Sequence, residues 1–65
     1  MITQGDIDTL DNLKYKASDA KASNTMKDDL ILMLNNTFGE LADTAEEAIE
    51  LADEIIADWE HSIGG

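Results

Sequence analysis

The chain contains no cysteine, no proline, no arginine and no valine. Without cysteine no disulfide can staple a small fold, and thiolate metal sites and thiol nucleophiles are excluded. Four lysines, Lys14, Lys16, Lys21 and Lys27, stand against fifteen acidic residues. Clustered cations for a phosphate backbone are therefore missing, and direct binding of DNA or RNA is not expected. The longest uninterrupted run of large apolar residues is the five of Leu30-Ile31-Leu32-Met33-Leu34. A bilayer span needs about 20, so no membrane association is expected. Met1-Ile2-Thr3-Gln4-Gly5-Asp6 has neither a basic segment nor an apolar stretch. No secretory signal is expected from it, and the expected compartment is the cytoplasm.

What is present is 65 residues, 43% hydrophobic, with a net charge of −11. That length allows one domain, residues 1–65, near the lower limit for independent folding. Eight of the apolar residues are alanine, so a single copy would have a thin core. A chain of this charge risks disorder, but apolar content at helical spacing argues for folding, helped by self-association. The charge is uneven. Residues 1–29 hold all four lysines and six acids, whereas residues 30–65 hold nine acids and no lysine.

The spacing predicts an all-α chain of two or three helices in a bundle. Ile7, Leu10, Leu13 or Lys14, Ala17 and Ala20 form one stripe, and the first helix is expected over 4–21. Thr3 and Asp6 make a weak capping box at its start. Ser23-Asn24-Thr25 then interrupts, because such side chains compete with helical backbone bonds. Thr25 with Asp28 is a candidate cap for a second helix over 26–36. Within it, Leu30 to Leu34 cover all sides of the axis, since each residue turns about 100°. A helix apolar all round is expected to be buried all round. A buried strand is the other reading of so short a run, disfavoured by leucine and methionine without valine.

Asn35-Asn36-Thr37-Phe38-Gly39 is ambiguous. The asparagines and glycine weaken a helix, and Thr37 with Glu40 forms a Thr-x-x-Glu box for a new one over 40–62. Against a break, Leu34, Phe38, Leu41, Ala45, Ala48, Ala52, Ile55 and Trp59 run through the segment in heptad register. The second and third helices are thus either continuous or broken there, and the break is preferred. A flanking column, Ala42, Ile49, Ile56 and Ile63, widens the apolar face, and Gly64-Gly65 closes the helix. Leu30 to Leu34 and the heptad residues are the expected core or oligomer surface of a homodimer or higher helical assembly.

Opposite that face lie the acids. Glu46, Asp53 and Glu60 fall in one column, Glu40, Glu47 and Glu54 in a second, Asp43 and Glu50 in a third, with Asp58 on the flank. Carboxylates of neighbouring columns recur every three or four residues, about 5 to 6 Å apart. Asp43–Glu47, Glu46–Glu50, Glu50–Glu54 and Glu54–Asp58 are like-charge pairs at i and i+4, each costing a few tenths of a kcal/mol. A solvated face is one reading of these nine acids. A docking face for a basic protein, with carboxylates in place of nucleic-acid phosphates, is the other.

Catalytic material is scarce. Ser18, Ser23 and Ser62 are the serines and His61 the single histidine. Ser62 and His61 are adjacent in sequence and diverge on a helix. There is no nucleophile elbow and no phosphate loop, so no enzymatic activity is expected. Asp58 and His61 with Glu54 have the spacing of a di-iron ligand pair, but such ligands must face inward from several helices, and these face away from the apolar stripe. Asp6, Asp8, Asp11 and Asn12 lack the glycine and terminal glutamate of a calcium loop. No metal or cofactor is expected. Size, charge and the lysine-free acidic helix make the chain similar in kind to small phage-encoded DNA mimics and anti-defence proteins. That likeness implies an inhibitor or decoy for a basic, nucleic-acid-binding host protein. A helical oligomer with an assembly role, and an antitoxin or chaperone dedicated to one protein, are the alternatives.

Overall fold

Three capping arrangements set the architecture. The computed structural model describes residues 2–64, and places α1 at Gln4–Ala17, α2 at Asn24–Thr37 and α3 at Ala45–Gly64. The side chain of Ile63 and Gly65 lie outside the described residues. Thr3 caps α1 with a complete box. Its hydroxyl accepts from the Asp6 N–H at 3.2 Å, and its own N–H donates to the Asp6 carboxylate at 3.0 Å.

The first helix stops at Ala17, four residues short of the expected 21. The Asp19 carboxylate accepts from the Lys21 N–H at 2.9 Å, and the Asp19 carbonyl accepts from the Ala22 N–H at 3.0 Å. This side-chain turn outcompetes another helical turn. Ala20 is consequently exposed rather than part of the stripe. The second helix is capped by Ser23, whose hydroxyl accepts from the Met26 N–H at 3.3 Å. Thr25 is therefore inside the helix and not its cap.

The segment 38–44 is a true break. Gly39 takes φ +69°, a left-handed conformation that suits glycine. It reverses the chain, so that the Leu34 carbonyl accepts from both the Phe38 and Glu40 N–H groups at 3.1 and 3.2 Å. The Asn35 side chain then holds Ala42 at two points, accepting from its N–H at 3.0 Å and donating to its carbonyl at 3.4 Å. The third helix starts at Ala45, not at 40, because Thr44 and not Thr37 opens it. The Thr44 hydroxyl accepts from the Glu47 N–H at 3.2 Å, and the Glu47 carboxylate reaches back to the Asp43 N–H at 3.2 Å. The heptad match across 34–45 was a coincidence of spacing between two separate helices.

Each helix packs against both others. Gln4 meets Trp59 and Lys14 meets Asp53, so α1 and α3 run antiparallel. The core is Ile7, Leu10, Ala17, Leu30, Leu34, Ala42, Ala48, Ala52 and Ile56. Four of these nine are alanine, so close backbone approach takes the place of bulk. Ile31, Met33, Phe38, Leu51, Ile55 and Trp59 pack against its edge. Of the other expected core residues, Ala45 is half-buried outside the core cluster, and two are exposed. Leu32 is 55% exposed, because Leu30 and Leu34 take the inner face of α2 and Leu32 points the other way. Leu41 is 90% exposed, because it sits in the loop rather than on a helix seam.

The two Thr-x-x-Glu boxes give a direct check. Thr44→Ala is expected to lower the unfolding free energy by about 1 kcal/mol in urea titrations, the usual cost of losing a cap. Thr37→Ala, at the exposed end of α2, is expected to stay within about 0.5 kcal/mol. The reverse order would return the start of the third helix to 40.

Candidate functional site

The lysine-free half places its nine acids in four different settings. Glu40 and Asp43 belong to the loop, half-buried and exposed respectively, and not to the helical columns. Asp43 is thus no i, i+4 helical neighbour of Glu47, whose carboxylate instead accepts the Asp43 backbone N–H. Asp53 is drawn to α1, where its carboxylate accepts from the Lys14 ammonium at 2.7 Å. Lys14 also lies 3.6 Å from Asp11. Among the described residues these two contacts are the ion pairs. Glu46, Glu50, Glu54, Asp58 and Glu60 remain exposed on α3, and among the described residues none of them is in an ion pair.

The hydrogen bond that Lys14 donates to Asp53 holds the Lys14 pKa above its usual value, opposed by partial burial and aided by the charges of Asp53 and Asp11. A raised lysine pKa contributes stability that is complete below 10.5 and is lost as pH rises through the folded-state value. The Asp53 side chain is 60% exposed, so solvent screening limits the pair to a few tenths of a kcal/mol. At the far end of the same seam, the Trp59 indole N–H donates to the Gln4 side-chain oxygen at 2.8 Å. Neither tie is among the contacts the spacing predicts. The signal for the first was Lys14 itself, which competes with Leu13 for the inner stripe of α1.

Shallow grooves flank α3, and two of them carry its glutamates. One lies against α1 and is lined by Gln4, Asp8, Asp11, Trp59 and Glu60. The other lies beside the loop, lined by Leu41 and Leu51 with Glu47, Glu50 and Glu54. Leu51 carries the apolar surface of α3 beyond the predicted seam, and neither predicted column includes it. Asp58, His61 and Glu54 are all exposed, and among the described residues no group of three or more His, Cys, Asp or Glu could hold a metal ion. No helix is long and apolar enough to cross a membrane among the described residues. Comparison with protein-family models, curated proteins and solved structures yields no match.

The uncompensated acids carry a stability cost. Glu50 has like-charged neighbours at 46 and 54, and Glu54 has them at 50 and 58. Glu50→Gln and Glu54→Gln are each expected to raise the unfolding free energy by about 0.5 kcal/mol at low salt. The gain should shrink toward zero near 1 M salt, where screening acts within about 3 Å. Urea titrations at the two salt concentrations measure this, and a loss of stability would mean that the carboxylates are held by the fold.

Proposed function

We propose that this protein is a small, non-enzymatic acidic inhibitor that docks on a basic protein surface used for binding nucleic acid. The supporting observation is that α3 projects Glu46, Glu50, Glu54, Asp58 and Glu60 into solvent, unpaired among the described residues, at a cost in like-charge repulsion. A fold selected only for solubility could mix both signs on this face. A row of carboxylates about one turn apart, from Glu46 to Asp58, offers a basic surface the negative charge it would otherwise take from phosphates. The net charge of −11 supports fast, salt-sensitive association with a cationic partner and disfavours nucleic acid itself as the ligand. The setting that fits is host takeover or anti-defence of the phage type, in the cytoplasm.

A second reading, assembly as a homodimer or larger helical oligomer, draws on the exposed Leu32 of α2. The two readings are compatible, because an oligomer would display several acidic faces at once.

The test is capture of partners from a cell lysate by the tagged protein over a salt gradient, beside a variant carrying Glu46→Gln, Glu50→Gln, Glu54→Gln and Asp58→Asn. The native protein is expected to retain nucleic-acid-binding proteins at low salt and release them as salt rises. The variant is expected to lose at least about tenfold in affinity, equivalent to about 1.4 kcal/mol. Undiminished binding by the variant would refute the acidic-face mechanism. Loss of binding by Leu32→Glu alone would favour assembly.

A further inference from the structure

Leu41 is the most exposed large apolar side chain among the described residues, yet its backbone is tied down on both sides. Before it, the Glu40 N–H reaches the Leu34 carbonyl around the left-handed turn at Gly39. After it, both backbone polar groups of Ala42 are held by Asn35, and the Ala42 methyl is buried. Turning Leu41 inward would break these anchors. A single exposed leucine needs no explanation. This one shares a groove with Leu51, and the groove's remaining lining is Glu47, Glu50 and Glu54.

We propose that this groove docks a basic amphipathic segment of the partner protein, with one large apolar side chain between Leu41 and Leu51 and Lys or Arg side chains against Glu47, Glu50 and Glu54. The proposal rests on the acidic-inhibitor reading and locates its anchor. Charge complementarity selects the occupant. A second copy meeting this groove through a two-fold axis would set glutamates against glutamates. A head-to-tail copy would have to present the corner of Tyr15, Lys16, Lys21 and Met26, where Asp19 offsets one of the two lysines, on a chain of net charge −11. A foreign basic segment meets neither obstacle. The acids along α3 then steer the encounter, and the leucine pair sets how long the complex lasts.

The probe is a synthetic 14-residue helical peptide with leucine at alternating third and fourth positions and lysine elsewhere. A control peptide carries glutamine in place of each leucine. Both are titrated into the isotope-labelled full chain and followed by amide chemical shifts. The leucine peptide should shift Leu41, Glu47, Glu50, Leu51 and Glu54 and bind at least about tenfold more tightly than the control. Leu41→Ala, which removes only an outward side chain, should erase that preference while leaving the salt dependence of binding unchanged. Equal binding of the two peptides, with shifts spread to Glu46 and Glu60, would overturn the groove and leave the acidic face standing. No shift with either peptide would overturn both. Concentration-dependent shifts at these five residues without peptide would assign the groove to a second copy and overturn the basic partner.

Discussion

The close approach of α3 to the other two helices, through the fully buried Ala48 and Ala52, is the constraint on which the structure depends. A 65-residue chain without disulfides has few large side chains to bury. Alanine at these positions lets the backbones come near enough for Ile7, Leu10, Leu30, Leu34 and Ile56 to close one core. A larger side chain on the seam would push α3 outward and overpack the space. The same approach brings Asp53 within reach of Lys14 and Trp59 within reach of Gln4, so the polar ties between α1 and α3 follow from the apolar one.

Fixing one face of α3 inward fixes the other outward. Helical geometry leaves Glu46, Glu50, Glu54 and Asp58 no direction but solvent once Ala48, Ala52 and Ile56 are buried. One lysine approaches this helix, and it takes Asp53. The loop from Phe38 to Thr44 adds a second outward feature, because the clamp by Asn35 buries Ala42 and leaves Leu41 in solvent. Acidic charge and an exposed leucine thus stand side by side as a consequence of how a small core was closed.

Much of this was legible in the sequence. The helical class, the Thr3–Asp6 cap, the inner positions of α1 and the buried Ala48 and Ala52 follow from spacing and capping chemistry. The start of α3 was not legible, because two Thr-x-x-Glu boxes compete and the one at Thr37 coincides with a heptad match. The discriminating signal was Gly39 inside the first box, against unbroken helix formers after Thr44. Ala42 is buried as its column implied, but from the loop, through the contact with Asn35. That asparagine looked like a helix weakener, and a bond between residues seven apart has no local pattern to reveal it. The acids themselves were plain in the sequence. Which of them the fold occupies, Glu47 as a cap and Asp53 as an ion-pair partner, required the packing of three helices.

The measurement that tests the central claim most directly is competition on a captured nucleic-acid-binding partner. Labelled duplex DNA is bound to that partner, this protein is added in excess, and fluorescence anisotropy is followed. Occupation of the nucleic-acid surface predicts that anisotropy falls to the value of free DNA, with stoichiometric displacement at low salt. Anisotropy that holds or rises as a ternary complex forms would contradict it, placing the docking surface away from the nucleic-acid site.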